Sequence, residues 1–319
     1  MTSHSGLLFH QSLWQRALRE GFGYEPFYCW QESESGIGCT MASAAVKLPF
    51  LRLLYSSVPY GGILGAADHQ EQFIRDLLPV FNERGIHGFR IVEPGQRDNM
   101  STLGFTREQG VRHVVNLAGH DEHSFLESLR KSVRRDVRKS EREGITVEEA
   151  RSEGDIAIVY ELYEQTMARN RAAAKYPIGR FRAVVNLLAP RGLGAIFLAK
   201  YQGRTIAATT VVCSKDEVHT LQISHDHDYR LLCPNEALIF AALKWTMASG
   251  RVRFDFMGSP LEDAALQRFK EKWNAQPEPL TTYSKSLAPV RSRCWDAVRW
   301  AVNTPAGARM ARWWQRKKK

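Results

Sequence analysis

The sequence predicts an α/β (α+β) protein made of two mixed-sheet halves with flanking helices, followed by a basic helical tail. Three observations predict it. Strand-like and helix-like stretches alternate along residues 1–288 instead of segregating. A polar loop, Gln202-Gly203-Arg204, joins two apolar runs as a hairpin would. Positive charge is concentrated at the carboxyl end.

In the first half a helix is expected over Ser12–Glu20, strands around Tyr24–Gln31 and Ser56–Tyr60, and a weaker strand around Ile37–Val46. The turn-rich PYGGILG follows, then a helix from Asp68 to Arg84 with Phe73, Leu77, Leu78 and Phe81 on one face. Ile86–Val92 and Val111–Leu117 read as strands, the second alternating Val111, His113 and Val115. Glu122–Gly144 reads as one helix, with Asp121 as N-cap and Gly144 at its stop. Leu126, Leu129, Val133 and Val137 form its apolar stripe, while Arg130, Arg134 and Arg138 recur every four residues on a neighbouring face.

The second half repeats the plan. It has a strand at Ile145–Glu149, helices at Asp155–Arg169 and Ile178–Ala189, and strands at Gly194–Tyr201, Thr205–Cys213 and Val218–Ser224. Helix Pro234–Ser249, strand Val252–Phe256, helix Leu261–Glu271 and a strand near Leu280–Ser284 complete it. The expected organisation is therefore a half over 1–121, a basic linker helix over 122–144, a second half over 145–288 and a tail over 289–319. Two halves of similar size fit a duplicated fold.

Composition narrows the class. With 44% apolar residues in 319, the chain can bury full cores. No charged segment leads into an apolar run at the amino end, and no stretch approaches the roughly 18 apolar residues of a membrane span, so a cytoplasmic location is expected. Cys29, Cys39, Cys213, Cys233 and Cys294 are odd in number and scattered, without a C-x-x-C pair, and are expected to be reduced. Of the net charge of +10, residues 291–319 carry +8, nine basic residues against Asp296, which leaves +2 for the body. A basic surface spread over the whole molecule is thereby excluded.

The stretches LRKSVRRDVRKSEREGITVEEA, LAKYQGRTIAATTVV, SHDHDYRLLCPNEALIFAALKWTMASGRVRFDFMGS and LQRFKEKWNA resemble the FemAB family of peptidoglycan-bridge aminoacyltransferases. They are also similar to the related BioF2-like (CelD-type) acetyltransferase domain. The resemblance is strong over residues 122–285 and loose before, where SSVPYGGILG is similar to the family's S-x-P-x-x-G-G region. It implies tandem GNAT-like domains and transfer of an acyl group to an amine.

The residues themselves carry a compatible chemistry. A helix opening at Cys233-Pro234-Asn235 offers free amides and a positive dipole end to an anion. In GNAT enzymes this place holds the donor's pyrophosphate, and YRLLCPNEAL lacks the glycines usual there, which leaves both an acyl-CoA and an aminoacyl-tRNA open as donor. Asp255, between Phe254 and Phe256, is expected either to meet a cation such as Lys270 or Arg268 or to act on a substrate amine. His225 or Asp226 is a candidate general base, because an ammonium acceptor must lose a proton before it attacks. The resemblance adds Tyr229, Arg230, Asn235, Ser259 and Lys270 as substrate-binding candidates, with Arg134 and Arg138 lining a channel for phosphate-bearing precursors or tRNA. His225-Asp226-His227-Asp228 lacks a third ligand region, so no metal is expected. Each of these groups also has a plain structural reading, as a cap, a core ion pair or a solvated helix face.

In the tail, Ala306, Met310, Trp313 and Trp314 follow helical spacing beside Arg309, Arg312 and Arg316, the composition of a helix lying on an anionic leaflet. Its alternative is packing on the body. The sequence thus predicts an acyltransferase, peripheral to the inner membrane face, acting on a lipid-linked or sugar amine of the cell envelope. An N-acetyltransferase of an exopolysaccharide or amino sugar is the enzymatic alternative, supported by the lack of a coiled-coil insertion between Ala150 and Gly194. A non-catalytic envelope scaffold or nucleic-acid-binding protein is the alternative from another class.

Overall fold

The computed structural model describes residues 7–33, 36–48, 50–97, 99–172, 174–291 and 293. By internal contacts the chain divides into one unit of residues 1–109, 168–175 and 280–319, and a second of residues 110–167 and 176–279. The tail stripe of Ala306, Met310, Trp313 and Trp314, and Cys294, lie outside the described residues. No described helix is long and apolar enough to cross a membrane.

In the first unit, α1 (Ser12–Phe22) buries Trp14, Ala17 and Leu18 and stops at Gly23, whose φ of +69° closes the helix on the carbonyls of Arg19 and Leu18. β1 (Glu25–Ser33), β2 (Gly36–Lys47) and β3 (Arg52–Ser56) form an antiparallel meander, with β4 (Leu64–Gly65) added to β2. Helix α2 (Ala67–Glu83) crosses over to β5 (Gly88–Pro94), which runs parallel to β3 from Leu53↔Gly88 to Ser56↔Ile91. Phe73 and Phe81 of α2 enter a core with Leu54, Phe89 and Ile91. The strand expected at Ser56–Tyr60 lies earlier. It ends at Ser56, because Ser57 turns to a φ of +54° and gives its amide and its hydroxyl to the Ala42 carbonyl.

The second unit takes β6 (Thr106–Asn116), of which residues 110–116 belong to it, then α3 (Glu122–Ser128) and α4 (Lys131–Arg142). β7 (Thr146–Glu149), α5 (Glu153–Arg169) and α6 (Gly179–Ala183) follow, α6 running on into a π turn at Val184–Leu188. β8 (Gly194–Tyr201), β9 (Arg204–Cys213) and β10 (Glu217–His225) make a second meander, and α7 (Pro234–Ala248) crosses to β11 (Arg253–Ser259), parallel to β10. The β8–β9 hairpin turns on Gln202 and Gly203, with φ of +49° and +78°, a two-residue I′ turn. Helix α8 (Ala264–Glu271) comes last. The core joins Phe125, Leu129, Val133 and Val137 of α3 and α4 to Leu238 and Leu243 of α7, to Phe254, and to Trp273.

β12 (Gln276–Ser286) completes an exchange. Its residues Leu280–Ser286 lie antiparallel to β5 in the first unit, while β6, which precedes the second meander in the chain, lies antiparallel to β11. Each unit thus repeats one topology: meander, crossover helix, parallel strand, then an antiparallel strand supplied by the other half of the sequence.

The helix expected over Glu122–Gly144 is two helices. Asp121 caps α3 through a reciprocal pair of hydrogen bonds with Ser124. The chain then opens at Leu129 and Arg130, with ψ of 156° and 143°, which lets Leu129 into the core. The Ser128 carbonyl freed by that break accepts from Asn274 Nδ2 at 3.2 Å. Asn274 itself has a φ of +61°, a left-handed conformation that asparagine adopts more readily than most residues other than glycine. We expect Asn274→Ala to cost about 1–2 kcal/mol in urea unfolding, through backbone strain and the lost cap. Asn274→Gly, which keeps the backbone, should cost less.

Candidate active site

The parallel strands β10 and β11 are paired over only three positions, Glu217↔Arg253, Val218↔Phe254 and His219↔Asp255. Beyond them both strands become irregular. β10 shifts register against β9 between Thr220 and Gln222, leaving Leu221 as the extra residue of a bulge. β11 shifts against β6 between Asp255 and Gly258, with Met257 at a φ of +64°. The two strands continue to His225 and Ser259 with no further pairing to each other, so a cleft opens between their carboxyl ends, where parallel sheets place their ligands.

The closed end of that cleft is a buried charge network. Arg112 Nη1 donates to Glu217 Oε1 at 2.8 Å and to Asp255 Oδ2 at 3.2 Å, and its Nη2 donates to Glu278 Oε2 at 2.6 Å. Asp255, fully buried, also accepts the Met257 amide at 2.7 Å and lies 3.4 Å from His219 Nδ1. His219 Nε2 is 3.2 Å from Ser214 Oγ. The cation that hydrogen-bonds Asp255 is Arg112, and Lys270 feels the same carboxylate as a nearby charge. Glu217, His219 and Asp255 bring ligand atoms within 4.8 Å of one another, as a metal site would, but the Arg112 guanidinium supplies the positive charge they need.

At the open end, His225 ends β10 with Nδ1 3.3 Å from Asn235 Nδ2, at the first turn of α7. Cys233, at a φ of +59°, and Pro234 open that helix without a side-chain cap. Glu236, in the same turn, is paired with Lys272 at 2.7 Å. Asp226 caps the 3-10 turn His227–Leu232 through the Asp228 amide and is held by Arg204 at 3.0 Å. Tyr229 lies with its ring under Arg204, 5.4 Å away, and Arg230 is exposed, donating to the His227 carbonyl. Below the β10 bulge, the buried guanidinium of Arg180 stacks on Tyr176 at 3.9 Å and reaches the Leu221 carbonyl at 3.4 Å.

Beside β11, Lys270 is buried and donates to the carbonyls of Met257 at 2.7 Å and Gly258 at 3.2 Å. Burial pushes its ammonium down to about 8, against the pull of Asp255 and Asp263. Ser259 Oγ and His113 Nδ1 are buried without a hydrogen-bond partner among the described residues, and His113 Nε2 lies 3.8 Å from Glu271 Oε1. Burial, and then the Lys270 charge, hold His113 below the ordinary histidine value.

The structure thus gathers His225, Asn235, Asp255, Ser259 and Lys270 on the two diverging strands and the helices α7 and α8. Arg134 and Arg138 stand on α4 and are both engaged by Glu127, at 2.6–3.2 Å and 2.7 Å. Arg112, Glu217, His219, Glu278 and His113 escaped the sequence reading. For Arg112, His113, Glu217 and His219 the one signal was a polar residue next to valine on a strand, and Glu278, between Pro277 and Pro279, carried none.

Residues 127–271 match the family profile described as Acetyltransferase (GNAT) domain. A search of curated proteins gave no match. Among solved structures, the fold is similar to FemX, at 14% identity and a TM-score of 0.68 over 92% of this chain and 95% of that one. It is also similar to L-PGS from Bacillus licheniformis, at 14% identity and a TM-score of 0.56 over 87% and 93%. A tandem GNAT protein from the clavulanic acid biosynthesis pathway aligns at 10% identity and a TM-score of 0.59 over 83% and 84%. These likenesses fix the fold as tandem GNAT-like.

Two outcomes follow from the charges. Arg112→Met leaves the buried Asp255 without its cation and Glu217 and Glu278 with Arg253 alone, and should lose about 3–5 kcal/mol of unfolding free energy, with Arg112→Lys in between. For Lys270, a folded value of about 8 lies below an unfolded value of about 10.4, so the unfolded chain binds the extra proton between them. Relative to Lys270→Met, the natural chain should gain on the order of 3 kcal/mol as pH rises through that window. Urea titrations at stepped pH measure it.

Proposed function

From the premise of a GNAT acetyltransferase domain on a FemX-like tandem scaffold, we propose that this chain transfers an acyl or aminoacyl group from an activated carrier to an amine of a cell-envelope precursor, peptidoglycan- or polysaccharide-related. The observation that carries the reading is the separation of β10 and β11 after His219↔Asp255, directly below the uncapped amino end of α7. An extended carrier arm would lie between the strands, with its acyl carbonyl at the irregular backbone beside Leu221 and its phosphates toward the amides of Asn235 and Glu236. In this reading the neutral amine attacks the carbonyl carbon, the C–N bond forms, and the bond to the carrier's sulfur or ester oxygen breaks. His225 accepts the amine's proton, with Asn235 orienting its ring, and the leaving group is reprotonated. Asp226 is committed to Arg204 and to its cap, and serves as a positioning residue.

Two donors remain in the proposal. The GNAT profile and the likeness to a tandem GNAT protein whose description names AcCoA support a coenzyme A thioester. The sequence resemblance to the FemAB aminoacyltransferases supports an aminoacyl-tRNA. An N-acetyltransferase of an amino sugar is the second reading, favoured by the short connection between β7 and β8. The proposal also places the protein at the inner face of the membrane, with residues 289–319 on an anionic leaflet.

Incubation with a panel of acyl-CoAs and charged tRNAs, with muropeptide or amino-sugar acceptors, should give acceptors heavier by one acyl group in mass spectra. Neither transfer nor donor binding would refute the enzyme and leave the scaffold alternative. His225→Ala should lower kcat about 10²–10⁴-fold with an unchanged melting temperature.

A further inference from the structure

The first unit carries a surface that the acyl-transfer reading does not use. β1 ends its sheet, and on its outward side Tyr28 and Trp30 are 48% and 58% exposed. Ile37, opposite Glu32 on β2, is 67% exposed, and Phe50, in the turn after Lys47, is 54% exposed. Four of the ten exposed large apolar side chains among the described residues therefore fall on two strands and one turn. An edge strand is ordinarily blunted by charge or proline, and β1 has Glu25, Pro26 and Glu32 toward its ends, but between them the exposed Tyr28 and Trp30 present aromatic rings.

The same strand borders a groove of about 850 Å³ lined by Arg16, Arg19, Tyr24, Glu25, Tyr28 and Lys47. Arg16 is paired with Glu20, and Lys47 and Arg52 share Glu25. Of the charged residues that line it, Arg16, Arg19 and Lys47 face Glu25 alone, so the groove is net positive beside the aromatic row. Tyrosine and tryptophan with apolar bodies and polar tips, flanked by arginine and lysine, match the headgroup level of a bilayer. The aliphatic Ile37 and the phenyl ring of Phe50 have no polar end, and so suit acyl chains better than stacked bases.

We propose that this face, the outer side of β1 and the adjoining basic groove, docks on an anionic lipid surface. The inference rests on the membrane placement proposed above but assigns it to a second site, independent of residues 289–319. Two anchors on one chain have a thermodynamic consequence: once one is bound, the other engages at a high effective concentration.

The test is sedimentation of the full chain with vesicles of phosphatidylglycerol and phosphatidylcholine, against vesicles of phosphatidylcholine alone. Trp30→Ser/Ile37→Ser should lower binding to the anionic vesicles about tenfold or more. Arg19→Gln/Lys47→Gln should lower it about fivefold per cation and flatten its salt dependence. All four positions are exposed, so melting temperatures should hold. Unchanged binding by both pairs, with loss in a tail variant carrying Arg309, Arg312 and Arg316 as glutamine, would overturn this site and keep the membrane reading. An intact chain that ignores anionic vesicles would overturn both. Patch variants that change only the sedimentation mass of the protein would show the face to be a contact between copies.

Discussion

The guanidinium of Arg112 fixes where the second unit opens. It lies on β6 and holds carboxylates from β10, β11 and β12 at once. A planar fork can do this and a lysine ammonium cannot, because its donors reach two directions at fixed angles. Within the network Glu217 and Asp255 sit at the two ends of the three-position ladder that joins β10 to β11. Below that ladder the strands are bound by charge as well as by backbone. Above it, the bulges at Leu221 and Met257 turn each strand away from the other, and the cleft is the result. The polar cluster costs desolvation, so its value is better placed in specifying register than in adding stability.

How much of this was legible depends on how local the signal was. Helices α1 and α2 follow from periodicity, because each buries one face and shows another, whereas β8 and β9 follow from continuous apolar runs, because both of their faces are buried. The break at Leu129 was not legible, since Leu126, Leu129, Val133 and Val137 keep helical spacing across it. What ends α3 is a side chain 146 residues away, Asn274, donating to Ser128. The boundary at residue 121 was placed by sequence order, whereas the compact units follow the exchange of β6 and β12. No window of sequence contains both partners of such a pair.

The site was half legible for the same reason. His225, Asn235, Ser259 and Lys270 stand in stretches that a family resemblance could mark, and of these the structure brings His225 and Asn235 into contact. Asp255 was recognised as a buried acid in need of a cation, but its partner sits on a strand that precedes it by 143 positions. Lys270 reads in sequence as one more charge on a basic helix. Burial against the Met257 and Gly258 carbonyls changes its character, leaving an ammonium that releases its proton far more readily than a surface lysine.

The repeated topology explains why the proposed chemistry is assigned to one unit. In the first unit β3 and β5 are also parallel, and their pairing stops at Ser56↔Ile91, where β3 ends. There the space between the strand ends is taken by the chain itself: Gly61 gives its amide to the Val92 carbonyl, and Ser56 Oγ donates to the Gly62 carbonyl. Gly61 and Gly62, at φ of +154° and +69°, permit that approach, and a Cβ on Gly62 would strike Glu93, which is held by Arg97. A carrier arm entering the first unit would have to displace this loop, whereas β10 and β11 have no such loop between them among the described residues. One copy of the fold has closed its cleft with glycines, which leaves its outer surface, rather than its strand ends, as the part able to meet a partner.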